Sequence, residues 1–152
     1  MNPYNRFSLV SSSVTAALIL AIIASSLNIV KAEIYFIHND DLGTPKQITN
    51  KNQTVVWEAE HDPFGKATVN EDPDGDGLMI TNNLRFPGQY YDQESWLHYN
   101  MARYYDPNTG RYITSDPIGL FGGLNTYLYV NANPLIFIDP FGLRRANPWN
   151  RF

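Results

Sequence analysis

From Glu33 onward the chain alternates short apolar or aromatic runs with turn-forming residues. Gly, Pro, Asn and Asp interrupt these runs about every ten residues, a spacing typical of consecutive antiparallel strands. The pattern therefore predicts an all-β fold, an antiparallel β-hairpin meander. The predicted strands are 34–38, 46–49, 54–60, 66–69, 84–86, 89–91, 97–99, 102–105 and 111–114. The segment 125–130 fits either a helical turn or a further strand, because its periodicity does not decide between them.

A different pattern occupies the first 32 residues. Between Arg6 and Lys31 lie only uncharged residues, and the centre of this stretch is apolar. It predicts an N-terminal apolar helix, which is either a secretory signal cleaved after Ala32 or a membrane anchor over residues 7–30. The small residues Val30 and Ala32 favour the cleaved signal. A chance apolar start to a broken reading frame is the third interpretation.

Composition limits the number of domains and the classes of partner. The 152 residues are 43% hydrophobic and 14% aromatic, which is enough for one modest domain. The net charge of −4 excludes the broadly basic face that nucleic-acid binding needs. The absence of cysteine excludes disulfides and thiolate metal sites.

Four segments repeat an Asp-Pro pair that is followed shortly by Gly. They begin at Asp62, Asp106, Asp116 and Asp139. In such turns the Asp side chain accepts backbone N–H groups, Pro presets the first dihedral angle and Gly adopts a positive φ. Repeated hairpin units of this kind indicate a stacked, quasi-linear β architecture.

An acidic segment, residues 72–77, begins like a calcium-binding loop, with carboxylates at its first, third and fifth positions. Its twelfth position is Asn83 instead of Glu, so we interpret the segment as a solvated hairpin tip. His38, His61 and His98 lack the close pairing that metal ions favour. We therefore expect no metal site and no cofactor.

Longer motifs resemble the Rhs/YD-repeat family. Residues 35–45 resemble its tyrosine-rich segment, and residues 61–66 resemble a YD repeat with His61 in place of Tyr. The family's repeat-associated core is matched in order by residues 83–92, 97–100, 103–107, 110–112 and 115–120, with Trp96 where the family usually has Gly.

The last match is to the self-cleavage motif of this family, residues 134–143, which end in Asp-Pro-Phe-Gly-Leu. The resemblance therefore covers residues 33–143. It divides the chain into a signal-like or membrane-anchor segment, 1–32, a repeat-associated core, 33–143, and a short tail, 144–152.

The resemblance implies that YD repeats wind into a hollow β-shell, which this core closes around a C-terminal toxin. Family members act in bacterial competition and in insecticidal toxin complexes, and the core cleaves its own chain, here between Leu143 and Arg144. The implied partners are the rest of an Rhs shell, a toxin cargo and an immunity protein. A secreted or membrane-anchored location follows from the N-terminus, with membrane contact only through residues 7–30 if they are uncleaved.

The implied activity is at most an aspartate-dependent self-cleavage. Peptide hydrolysis without a Ser or Cys nucleophile commonly uses two carboxylates, one as base for water and one as acid for the departing amine. The resemblance points to Asp116 and Asp139 as this pair, and Arg111 is a candidate to orient one of them through a bidentate contact. The alternative is that both carboxylates only cap turns, as Asp62 does.

Residues 144–152 are too few to fold as a toxin, so the chain is expected to carry the cleavage motif without a toxin domain.

Two other functions fit the sequence. One alternative is a non-enzymatic cell-surface or secreted YD-repeat module with a structural or adhesive role. The other is an inactive gene remnant.

Overall fold

Eight β-strands form within residues 32–149, the part of the chain that the structure, a computed structural model, describes. They are β1 Tyr35–Asn39, β2 Pro45–Asn50, β3 Val55–His61, β4 Ala67–Asn70, β5 Tyr90–Asp92, β6 Leu97–Asn100, β7 Arg103–Asp106 and β8 Arg111–Tyr112. Two short 3-10 turns follow, Gly119–Phe121 and Val130–Ala132. The apolar helix predicted over residues 7–30 lies outside the described residues. Among those described, no helix has the length and apolar character needed to cross a bilayer.

The strands build two antiparallel sheets in simple sequential order, β1-β2-β3-β4 and β5-β6-β7-β8. The predicted all-β antiparallel meander is therefore confirmed. One predicted strand, 84–86, is reduced to an isolated bridge between Leu84 and Tyr90. Pro87 follows at once and has no N–H for a ladder, so the chain turns there instead of extending the strand.

The other departures from the predicted strands are small. The strand predicted over 111–114 ends at Tyr112. In the undecided segment 125–130, Leu128 forms a single bridge with Arg111, and the second 3-10 turn begins at Val130. This segment therefore closes against β8 without becoming a full strand.

Each sheet buries its own apolar cluster. The first contains Ile48, Val56, Trp57 and Ala59, with Val69 and Ile80 packed against it. The second contains Phe86, Tyr105, Tyr112, Tyr129 and Val130, with Phe137 against it. Because three tyrosines lie in the second cluster, their hydroxyl groups need partners inside the protein. Polar groups that can bind these hydroxyl groups are therefore expected beside the cluster.

The hairpin between β5 and β6 contains Trp96, which has a φ of +64° and a side chain that is 72% exposed. The left-handed conformation disfavours a residue with a Cβ by about 1–2 kcal/mol. The hairpin still closes, because Trp96 N–H donates to Asp92 O at 2.9 Å and Ser95 Oγ donates to Asp92 Oδ2 at 2.7 Å. These hydrogen bonds thus stabilise the hairpin although Trp96 adopts a backbone conformation that favours glycine.

Candidate functional site

The four Asp-Pro turns differ sharply in burial. The Asp62 side chain is exposed and that of Asp106 is half-buried. Asp116 and Asp139, in contrast, are only 7% and 2% exposed. A buried carboxylate requires a countercharge and several hydrogen-bond donors, so the partners of these two residues define a candidate site.

Arg103, on β7, supplies the positive charge. Its Nη2 lies 3.1 Å from Asp116 Oδ2 and 3.5 Å from Asp139 Oδ2, so one guanidinium nitrogen contacts both carboxylates. The remaining donors reach backbone oxygens, with Nε donating to Gly142 O at 2.6 Å and Nη1 to Thr126 O at 2.9 Å. The guanidinium is therefore held from three directions.

The chain carrying the predicted cleavage point lies against the same carboxylates. Asp139 Oδ1 accepts the N–H groups of Leu143 at 3.0 Å and Arg144 at 3.2 Å. A Cβ built on Gly122 would overlap Asp116 Oδ2 and lie 3.0 Å from Leu143 O. Asp116 and the carbonyl oxygen of the peptide bond therefore both lie against Gly122, and Asp139 binds the peptide nitrogen.

The turn between β6 and β7 holds the loop that precedes this peptide bond. Asn100 Nδ2 donates to Asp139 O at 3.0 Å, and Ala102 N–H donates to Phe141 O at 3.3 Å. Gly142 packs so closely that a Cβ there would overlap Asn100 O, and its φ is +66°. The loop is thus fixed by contacts with its backbone, and Gly142 is required by both space and conformation.

Tyr112 completes the buried network. Its hydroxyl donates to Asp139 Oδ2 at 2.8 Å and accepts from Asn100 Nδ2 at 2.8 Å, while the Arg103 guanidinium carbon lies 3.6 Å from its ring centroid. Burial, followed by the charge of Asp139, raises the pKa of Tyr112 above its ordinary value. Burial likewise raises the pKa of the neighbouring Tyr129. The Tyr112 hydroxyl therefore remains a proton donor at neutral pH.

The structure brings four of the five predicted site residues together: Asp116, Asp139, Leu143 and Arg144. Arg111 lies elsewhere, because it is exposed on β8 and, within residues 32–149, forms no ion pair with either carboxylate. The contact expected from Arg111 is made by Arg103. Side chains alternate across a strand, so Tyr112 faces inward where its neighbour Arg111 faces out.

The sequence patterns did not predict that Arg103, Tyr112 and Asn100 belong to the site. A signal was available for the first, because Arg103 is two residues before the buried Tyr105 and must therefore share its face of β7. The sequence held no comparable signal for Asn100, whose contact with Asp139 spans 39 residues. Its role depends on how the two segments pack.

The acidic segment is a turn-rich, largely exposed loop, but the flanking strands β4 and β5 belong to different sheets, so it is not the tip of a strand hairpin. Asp72 accepts the N–H groups of Asp76 at 3.1 Å and Gly77 at 3.2 Å. Oxygen atoms of Asp72, Asp74 and Asp76 lie within 4.8 Å of one another, and Asp74 and Asp76 are exposed. These backbone hydrogen bonds account for the loop geometry, and the absence of a metal stays a prediction.

Comparison with known proteins identifies relatives of this chain. The family model described as RHS protein matches residues 34–71. The uncharacterized protein YibJ of Escherichia coli (strain K12) is 45% identical over 115 residues, which cover 76% of this chain and 47% of YibJ. Double-stranded DNA deaminase toxin A of Burkholderia cenocepacia (strain H111) is 38% identical over 142 residues, 93% of this chain and 10% of the toxin. The chain thus spans about half of one curated relative and a tenth of the other.

A solved structure shares the fold. The crystal structure of TcdB2-TccC3 without its hypervariable C-terminal region superposes with a TM-score of 0.66 and 27% sequence identity, over 77% of this chain and 5% of that chain. The similarity includes the all-β architecture found here. The RHS protein model and the sequence relatives together identify this chain as an Rhs-family segment.

Proposed function

We propose that this chain is a self-cleaving core segment of an Rhs toxin protein and that it hydrolyses its own peptide bond between Leu143 and Arg144. The observation that carries the proposal is the convergence of two buried carboxylates on this single bond. Asp139 Oδ1 accepts the Arg144 N–H at 3.2 Å, and Asp116 Oδ2 lies against Gly122, which the Leu143 carbonyl oxygen also approaches. Turn capping alone requires neither the shared Arg103 nor the burial.

The geometry suggests distinct roles for the two carboxylates. Asp139 Oδ1 accepts the N–H groups of Leu143 and Arg144, so Asp139 is suited to holding the scissile peptide in place. The oxygens of Asp116 also have donors, the Ile118 N–H at 3.0 Å and Arg103 at 3.1 Å, but neither belongs to the scissile peptide. Asp116 would accept a proton from water as the water oxygen attacks the Leu143 carbonyl carbon. When the C–N bond breaks, Asp116 would pass that proton to the Arg144 nitrogen. The second water proton passes from the new Leu143 carboxyl group to the amine, so the products are a carboxylate on Leu143 and an ammonium group on Arg144.

Intact-mass measurement tests this proposal. The full chain is purified in denaturant, diluted into refolding buffer and sampled over time; we expect a mass loss equal to residues 144–152. Samples must be denatured again before measurement, because Ile138 and Ala146 form an antiparallel backbone pair, at 3.0 and 2.6 Å, that can retain the tail. Asp139→Asn and Asp116→Asn should each slow cleavage by roughly 10²- to 10⁴-fold.

Asp62→Asn is the matched control, since Asp62 occupies the same turn motif without a buried partner. It should cleave at the wild-type rate. A wild-type chain that refolds and stays at full mass would contradict the proposal. Equal cleavage in Asp139→Asn and Asp62→Asn would contradict the assignment of the carboxylates.

The second part of the proposal is that this core belongs to a larger β-assembly, of which it forms the closing end around a toxin. β1 supports this, because it is a sheet edge and all five of its residues are exposed, including Phe36 at 52% and Ile37 at 49%. Exposed apolar edges associate with further strands. Export through residues 1–32 is part of the same proposal.

Sedimentation over a range of protein concentrations tests the edge. The isolated chain should self-associate, and Ile37→Lys should reduce that association. Leu78→Lys introduces the same charge at a loop residue that is 66% exposed, and it serves as the control. If the two variants behave alike, the β1 edge is not the associating surface.

A further inference from the structure

A chain of hydrogen bonds with one defined direction ends on the carboxylate that holds the scissile peptide. Asn100 Nδ2 can only donate, so the Tyr112 oxygen accepts from it. Tyr112 must then give its own proton to Asp139 Oδ2, 2.8 Å away. All three residues are buried, with exposures of 0%, 3% and 2% for Asn100, Tyr112 and Asp139. Water therefore does not compete for these bonds.

We propose that Tyr112 is a positioning residue for self-cleavage: held by Asn100, it fixes the Asp139 carboxylate so that Oδ1 stays on the N–H groups of Leu143 and Arg144. This inference rests on the proposed self-cleavage and extends it to a group whose hydroxyl bonds Asp139 and Asn100 instead of the scissile peptide.

The contacts of Asp139 Oδ2 give the physical reason. Oδ2 has two donors, the Tyr112 hydroxyl at 2.8 Å and Arg103 Nη2 at 3.5 Å. The shorter bond is the stronger, and Arg103 is itself shared with Asp116 at 3.1 Å. Without the hydroxyl, only the long contact would restrain Oδ2, and the carboxylate plane could rotate away from the peptide nitrogen.

Asn100 links this network to the substrate loop. The same Nδ2 that donates to Tyr112 also donates to Asp139 O at 3.0 Å. The side chain and the backbone of Asp139 are thus positioned by one amide group. Movement of the loop therefore changes the bond to Tyr112, which couples the position of the scissile segment to the orientation of its carboxylate.

Tyr112→Phe tests the proposal with little disturbance. The ring is retained, and with it the stacking of Arg103 at 3.6 Å, so that only the hydroxyl is lost. Misplacement of a reacting group by about 1 Å lowers rates by about 100-fold, so we expect cleavage to be roughly 10- to 100-fold slower. In the Asp116→Asn background, which slows cleavage, loss of the hydroxyl should also speed solvent exchange of the Leu143 and Arg144 amide hydrogens, because Asp139 Oδ1 would hold them less firmly.

Tyr105→Phe is the matched control. Tyr105 is fully buried in the same cluster and donates its hydroxyl proton to Phe64 O at 2.6 Å, away from the carboxylates. Its loss should reduce stability to a similar extent without slowing cleavage or speeding amide exchange at Leu143 and Arg144. Both variants are refolded from denaturant beside the wild-type chain and Asp139→Asn, and cleavage is followed by intact mass.

The outcomes separate the two proposals. If wild type cleaves, Asp139→Asn does not, and Tyr112→Phe matches Tyr105→Phe in cleavage rate and amide exchange, the positioning role is overturned while self-cleavage stands. If Tyr112→Phe alone cleaves slowly and exchanges its Leu143 and Arg144 amide hydrogens faster, the role is supported. If the refolded wild-type chain does not cleave, self-cleavage is overturned and the role of Tyr112 with it.

Discussion

The turns at Asp62 and Asp139 have the same Asp-Pro-Phe-Gly sequence but different surroundings. Asp62 Oδ1 accepts the N–H groups of Phe64 and Lys66, at 2.9 and 3.0 Å, and the side chain is exposed to solvent. Asp139 is buried and accepts hydrogen bonds at both oxygens, from the backbone, from Tyr112 and from Arg103. The motif therefore specifies a turn, and burial determines whether its carboxylate becomes part of a site.

The difference has an energetic consequence. An exposed carboxylate is solvated by water and needs no protein partner. At the buried site two carboxylates face one guanidinium, so neutral donors must satisfy the remaining oxygens. A change at the buried site should thus have a far larger effect than the same change at the exposed turn.

The largest effect is expected from Arg103→Met. It leaves the Asp116 and Asp139 carboxylates buried without a countercharge, so the free energy of unfolding should fall by about 3–5 kcal/mol. Arg111→Met removes an exposed arginine from the next strand and should change stability by about 0.5 kcal/mol or less. Urea titration followed by circular dichroism measures both. Equal losses would mean that the buried ion pairs do not stabilise the fold.

The next effect is expected from Gly142→Ala. A Cβ would overlap Asn100 O, and the φ of +66° is unfavourable for alanine, so a loss of about 3 kcal/mol in unfolding free energy is expected. Gly119 occupies the same place in the Asp116 turn, with a φ of +60° and open space around it. Gly119→Ala should therefore lose only the conformational part, about 1–2 kcal/mol. Indistinguishable urea midpoints would argue against the close approach at Gly142.

Low pH should destabilise the folded protein through His98, a buried side chain that lacks an acidic partner. Desolvation, followed by the charge of Arg85, lowers the pKa of His98 to about 3. The folded state thus keeps this ring neutral while the unfolded chain binds a proton below about pH 6.5. The contribution of the neutral His98 ring to the free energy of unfolding is fully present above about pH 6.5 and is lost progressively as the pH falls toward 3.

The expected loss from His98 is about 2 kcal/mol between pH 7 and pH 5. Desolvation also lowers the pKa of His61, to about 4, so this residue acts in the same direction. Urea titrations at the two pH values should show a smaller fall for His98→Gln than for wild type. If both chains fall equally, His98 is not the group responsible.

The smallest effect is expected from Asp62→Ala. It removes the acceptor for two backbone N–H groups that water can solvate instead, so the loss should be about 1 kcal/mol. Cleavage should continue at the wild-type rate, as measured by intact mass. A loss comparable with that of Arg103→Met would remove the distinction between the exposed and buried turns.

Much of the architecture could be predicted from local patterns. Alternation of side chains along strands and the turn residues between them predicted seven of the eight strand positions to within about one residue. β8 also formed, but it ended two residues early, at Tyr112. The strand predicted at 84–86 did not form, because Pro87 and Gly88 turn the chain immediately after it. Local chemistry decides such features, so a single sequence is informative about them.

The site was predictable only in part. Asp116, Asp139 and the Leu143–Arg144 bond were inferred from the resemblance to a family motif, and the structure places all of them together. The arginine was assigned to Arg111, whereas Arg103 makes the contact. Both arginines are near Asp116 in the sequence, so proximity along the chain could not distinguish them.

The sequence by itself determined the antiparallel strands, the Asp-Pro turns and the family, because these depend on residues that are neighbours along the chain. Only the tertiary structure decided which carboxylates are buried, which arginine joins them and that Tyr112 and Asn100 reach Asp139. The contacts made with Asp139 span 27 to 39 residues. They form only when the β6–β7 turn packs against the loop at Asp139, and no local pattern specifies that packing.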